Sequence, residues 1–146
     1  MFSLSAEQIN SIALRLDFLR VEAGDLLRFA TMTQADYITD RDRRRSLERL
    51  VENIVNACTD IVKIVLSSED LPVPETYRDA MVQAGIVGLL EESLAEKLAE
   101  FTRMRNIIAH QYLDIRWAAL RNFIDDSPAA LRQFISNVEA LLNKAT

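Results

Sequence analysis

Apolar residues recur along this chain at the three- and four-residue spacing of helices buried on one side, with few interruptions. Ser5-Ala6-Glu7-Gln8 has the pattern of a capping box, and Leu4 ahead of it can act as a hydrophobic staple. Ile9, Ile12, Ala13, Leu16 and Leu19 follow at helical spacing, which predicts a first helix over residues 5–29. Residues 31–40 read as a connection with one short turn at 34–38. Asp40 can N-cap a second long helix over 40–66, with the apolar stripe Leu47, Leu50, Val51, Ile54, Cys58, Ile61 and Val65. Beside that stripe runs a polar row, Asn53, Asn56 and Asp60, which either satisfies itself structurally or lines a site.

Residues 67–74, with Pro72 and Pro74, form the clearest loop. A short helix is expected over 75–84, ending near Gly85, with a turn around Gly88. The next helix should start near Glu91 and carry Leu94, Leu98, Phe101 and Ile108 on one face, with residues 105–112 at its C-terminal end. Residues 114–124 read as another helix. Ser127 as N-cap and Pro128 as the first helical residue then open a last one, with Leu131, Ile135, Val138 and Leu142 inward. The expected fold is all-α, an up-and-down helical bundle with additional short helices, in a single domain over residues 1–146.

Composition agrees. Only three Gly and three Pro in 146 residues leave little material for tight turns, and 49% hydrophobic residues suffice for one core. The lone Cys58 cannot form an internal disulfide, and neither a signal sequence nor an apolar run of membrane-spanning length is present. The expected location is cytoplasmic, with no membrane association. A net charge of −5 argues against broad, non-specific nucleic-acid binding, which needs many cations against phosphates. The arginines are unevenly placed, however. Arg41, Arg43, Arg44, Arg45 and Arg49 form one cluster, either a phosphate contact or simply a solvated helix face, and Arg103 and Arg105 form another.

Gly-rich phosphate loops, Cys/His metal clusters and nucleophile elbows are all missing from the sequence, so no cofactor and no metal site is expected. What remains is the run from Arg103 to Tyr112, which holds the chain's only histidine, His110. Arg103, Asn106 and His110 fall at i, i+3 and i+7 and share one helical face. Arg105 and His110 are five apart, about 140° around an ideal helix. They converge only if the helix bends or a second chain closes the site. The residue types suit RNA cleavage without a metal. An imidazole exchanges protons near neutral pH, and a guanidinium holds a phosphate and offsets charge developing on it. Arg105 and His110 are the expected catalytic pair, with Asn106 and Arg103 supporting. One imidazole cannot easily be acid and base at once, which motivates a two-fold homodimer that brings two copies of His110 together.

The run Arg105-Asn106-Ile107-Ile108-Ala109-His110-Gln111-Tyr112 resembles the Arg-x4-His-x-Tyr signature of the HepT-like branch of the HEPN superfamily. Residues 42–61, with their arginines, Glu48 and Asp60-Ile61, resemble that family's second long helix. Pro74-Glu75-Thr76-Tyr77 followed by Gly85-Ile86 resembles its Pro-x-x-Tyr … Gly-Ile connection, so the likeness spans roughly residues 5–125. The resemblance implies a HEPN-like bundle and a homodimeric, metal-independent endoribonuclease, the toxin of a type VII toxin–antitoxin pair. It implies a minimal nucleotidyltransferase (MNT) antitoxin as partner, RNA (transfer or messenger) as substrate, and Tyr112 as the tyrosine that receives AMP. Gln111 stands where the family often has a basic residue, and Ala109 where a larger aliphatic is usual. Two other readings compete: a non-catalytic nucleotide- or partner-binding module associated with a nucleotidyltransferase, and a plain helical interaction domain.

Overall fold

The computed structural model describes residues 2–146, and among them every regular element is helical. The elements are α1 (Ala6–Leu26), a single 3-10 turn (Leu27–Phe29), α2 (Gln34–Thr39), α3 (Arg41–Ser67), α4 (Tyr77–Ile86), α5 (Glu92–Phe101), α6 (Met104–His110) and α7 (Leu113–Ala145). This is the expected up-and-down helical bundle with short additional helices.

Local chemistry sets most of the starts. The Ser5 hydroxyl accepts the Gln8 N–H at 3.1 Å, and the Gln8 side chain accepts the Ser5 N–H at 2.8 Å. Thr33 and Asp36 repeat this reciprocal cap ahead of α2 at 3.1 Å each way. The Thr33 backbone and hydroxyl bonds hold the Asp36 carboxyl below its ordinary range. Asp40 caps α3 through the Arg43 N–H, and Thr76 caps α4 through the Asp79 N–H. The short helix after the proline loop therefore begins two residues later than expected, because the Thr76 cap falls there.

α3 lies at the centre, packing on α1, α4, α2 and α6, while α7 closes the bundle against α1, α5, α6 and α2. Tyr37, Leu47, Ile54, Ile61, Leu66, Met81, Phe123 and Phe134 are among its fully buried side chains. Phe101 and Phe123 meet edge to face at 5.0 Å and join α5 to α7. The polar row on α3 is structural along most of its length. Asn53 donates to Glu22 at 3.3 Å and Asp60 pairs with Arg15 at 3.9 Å, both across to α1. Asn56 differs, because its side-chain oxygen is buried with no hydrogen-bond partner.

Two departures from the expected boundaries matter. The Ser127-Pro128 pair does not start a helix: α7 runs unbroken for 33 residues with Pro128 inside it. Ser127 is fully buried and its hydroxyl has no partner, so it caps nothing. Burial of Ile124, Ala130, Leu131 and Phe134 on one continuous face outweighs the cost of an internal proline, about 3 kcal/mol in an exposed helix. Conversely, the helix expected from Glu91 into residues 105–112 is broken at Thr102-Arg103, where the chain turns between α5 and α6, and it ends at His110. The buried Thr102 hydroxyl donates to the Ala99 carbonyl at 2.6 Å, closing the end of α5.

Gly85 permits a close helix contact. A Cβ there would sit 2.8 Å from the Cβ of Ala95, so α4 can approach α5 this tightly only with glycine. Gly88, at φ +81°, makes the left-handed turn between these helices.

Candidate active site

α6 is seven residues long, too short to persist alone, and is held by its apolar side. Met104 and Ile108 are buried and Ile107 is half-buried, packed between α3 and α7. The remaining positions are turned outward: Arg105, Asn106, Ala109 and His110 are all exposed, as are Arg103, Gln111 and Tyr112 beside them. The expected site residues thus share one short helix and its two flanking turns, on an open surface.

They are not equally free. Arg103 stands at the turn before α6 and pairs with Glu100 at 2.8 Å, so its charge is already engaged. The Arg105 guanidinium lies over the ring of Tyr77, 4.2 Å from the centroid, and makes no ion pair with any described residue. Asn106 and His110 have no side-chain partner among the described residues. Because α6 ends at His110, Arg105 and Tyr112 do not share a helical face. Gln111 is extended and Tyr112 is the extended residue that precedes α7. Tyr112 is 83% exposed, its hydroxyl open to a reagent or a protein.

The turn after His110 is anchored by residues that sequence reading left unassigned. Arg116, one turn into α7, donates from Nε to the Gln111 carbonyl at 2.7 Å and from Nη1 to Glu48 of α3 at 3.3 Å. The Tyr37 hydroxyl donates to the same Glu48 oxygen. Tyr37 is fully buried and stacks at 5.4 Å on Trp117, next to Arg116. Burial first, then the adjoining Glu48 carboxylate, raise the Tyr37 phenol well above its ordinary range, so it stays a donor. A chain from Tyr37 through Glu48 and Arg116 to the Gln111 carbonyl therefore fixes the backbone between His110 and Tyr112. The only hint in the sequence was Glu48 standing among arginines.

The arginine cluster of α3 divides. Arg44 is structural, donating to the carbonyls of Tyr37 and Ile38 at 3.2 and 2.9 Å and so closing the end of α2. Arg43, Arg45 and Arg49 line an open cleft of about 680 Å³ with Arg28, Glu22 and Asp25, away from α6. No group of three or more His, Cys, Asp or Glu side chains is arranged to hold a metal among the described residues. No helix is long and apolar enough to cross a membrane.

A helical bundle that displays Arg105 and His110 on a short helix before its last long one, with Tyr112 in the extended turn between them, fits the HEPN-type class that the sequence resembles. The chain aligns at a TM-score of 0.77 with a tri-AMPylated HEPN toxin from Shewanella oneidensis solved in complex with an MNT antitoxin. Identity is 18%, over 88% of this chain and 96% of the other. A toxin–antitoxin crystal structure with AMP-PNP aligns at 0.76, also at 18% identity, over 88% and 97%. At such identities the likeness speaks for the fold. More specifically, the chain belongs to the ribonuclease HepT-like family, whose model matches residues 19–138. It is similar to the tRNA nuclease HepT of Aphanizomenon flos-aquae, 28% identical over 104 residues, which make up 71% of each chain.

Proposed function

We propose that this chain is an endoribonuclease toxin that cuts RNA without a metal, and that Arg105 and His110 carry the reaction. The observation that carries this reading is the joint display of Arg105, Asn106 and His110 on α6, with Tyr112 beside them, in a chain of the HepT-like family. The ribose 2′-oxygen attacks the neighbouring phosphorus as its proton passes to an imidazole. The bond to the 5′-oxygen breaks, and that oxygen takes a proton, leaving a 2′,3′-cyclic phosphate and a 5′-hydroxyl. Arg105 holds the phosphate and offsets the charge gathering on its oxygens. Asn106 orients phosphate or imidazole, and Arg103 adds positive field, reduced by its pairing with Glu100.

Two proton transfers and one histidine per chain favour a two-fold homodimer with a His110 from each copy. The angular separation of Arg105 and His110 on α6 supports the same arrangement. Exposed Ile115 offers apolar surface beside the site for that contact. The partner is a minimal nucleotidyltransferase antitoxin that transfers AMP from ATP to the Tyr112 hydroxyl, releasing pyrophosphate. The added phosphate and adenosine repel and obstruct RNA two residues from His110. Similarity to a tRNA nuclease favours transfer RNA as the substrate.

The test is cleavage of total transfer RNA by purified protein with EDTA present. His110→Ala and Arg105→Ala should each abolish cleavage and growth inhibition while the dimer persists in sedimentation. Undiminished cutting by His110→Ala refutes the assignment. A wild-type dimer that binds nucleotide or antitoxin and cuts no RNA instead establishes the non-catalytic module.

A further inference from the structure

Three elements converge on one aromatic ring beside the site. Tyr77, the first residue of α4, has the Arg105 guanidinium of α6 at 4.2 Å from its centroid and the Lys63 ammonium of α3 at 4.9 Å. Both distances lie within the range in which a cation is attracted to the face of an aromatic ring. The two charges are therefore at most about 9 Å apart. Like charges this close repel, and the usual remedy is a carboxylate between them. Here neither cation has a carboxylate within ion-pair distance: among the described residues the ion pairs use Arg15, Arg20, Arg43, Arg103, Arg116 and Arg121, and not Lys63 or Arg105. In a chain whose 22 acidic residues outnumber 17 basic ones, two neighbouring cations without a carboxylate make a local site for an anion.

The ring itself is held firmly. Thr76 caps α4 directly before Tyr77 through the Asp79 N–H at 3.0 Å. At its other end α4 is seated on α5 through the Gly85–Ala95 approach. Tyr77 is half-buried against the core. Arg105, by contrast, is exposed and hangs from a helix of seven residues. A fixed ring under an exposed guanidinium limits the directions in which its planar fork can point.

We propose that Lys63, Tyr77 and Arg105 together form a phosphodiester-binding point for the RNA strand, with Lys63 as a second phosphate contact and Tyr77 as the positioning residue for Arg105. The inference rests on the reading of the chain as an RNA-cutting protein. With at most about 9 Å between the two cations, Arg105 takes the scissile phosphate and Lys63 a neighbouring one on the same strand. Tyr77 touches Arg105 and need not touch RNA.

Binding and cutting test this separately, on the full chain. Binding is measured with a 2′-O-methyl oligoribonucleotide, which cannot supply the attacking hydroxyl, across a salt series. Lys63→Gln should weaken binding about three- to tenfold and lower the slope of log affinity against log salt by about 0.7 to 1, while Lys63→Arg keeps the wild-type slope. Tyr77→Leu should lower kcat about tenfold with KM changed far less, and Tyr77→Phe, which keeps the ring, should stay within twofold of wild type. Thermal melts confirm that each variant is folded. An unchanged salt slope in Lys63→Gln overturns the second contact. Equal kcat values for Tyr77→Leu and Tyr77→Phe in folded protein overturn the positioning role. If the wild type binds the oligonucleotide but cuts no RNA, the catalytic reading fails while the salt slope still decides the phosphate contact.

Discussion

Replacing Glu48 by leucine removes the acceptor shared by Tyr37 and Arg116 while roughly keeping the volume. The Glu48 side chain is 13% exposed and that of Arg116 25%, so both are largely withdrawn from water. A hydrogen bond to an ionised group contributes about 1.5–3 kcal/mol, and a buried donor left without an acceptor costs about 1–3 kcal/mol. Tyr37 is fully buried and carries that penalty in full, whereas Arg116 keeps the Gln111 carbonyl and some water. Leucine returns about 1 kcal/mol through apolar burial. The expected net loss is about 3 kcal/mol, which lowers the urea midpoint by about 1.5 M for an m-value of about 2 kcal/mol/M. Tyr37→Phe alone should cost about 1.5 kcal/mol, yet be neutral or stabilising when added to Glu48→Leu, since it then removes the stranded hydroxyl. Equilibrium urea unfolding of the four proteins measures that coupling. A loss under 1 kcal/mol for Glu48→Leu, or additive single effects, refutes the idea that this network holds the turn after His110.

Ser127→Ala should stabilise the chain by about 1 kcal/mol, because it removes a buried hydroxyl with no partner from the middle of α7. A destabilised variant in thermal unfolding contradicts that account. The fully buried Cys58 thiol, pushed up to about 12 by desolvation, should resist alkylation at pH 8 until the chain unfolds. The same shift gives a sign for alkaline stability. Above a pKa of about 8.5 the unfolded thiol ionises while the folded one does not, so stability falls from there toward pH 12, by about 1.4 kcal/mol per pH unit. Cys58→Ala should flatten that part of the pH profile in urea titrations, and an unaltered slope counts against it.

Sequence reading succeeded where the signal was local or periodic. The Ser5 capping box, the Asp40 cap and the apolar stripe of α3 each determine structure within a turn or two, and each lies where expected. It failed where tertiary packing reversed a local signal. Ser127-Pro128 has the chemistry of a helix start, but the buried neighbours on α7 carry the helix through it. Thr102-Arg103 has no glycine or proline to mark a break, and the turn there follows from packing α5 and α6 on different neighbours. The site residues on α6 could be picked out because they lie within ten positions of one another. Tyr77 beneath Arg105 and Glu48 beside Arg116 are 28 and 68 positions away, and nothing local reports such contacts.

The break before α6 has a consequence for how the site is lost. A helix of seven residues held by Met104, Ile107 and Ile108 should open at lower cost than the long helices α1, α3 and α7. The amides of residues 105–110 should therefore exchange faster than those of α3, opening at a free energy well below that of global unfolding. A partner that captures the opened segment would then take Arg105 and His110 out of reach while the remaining helices stay intact.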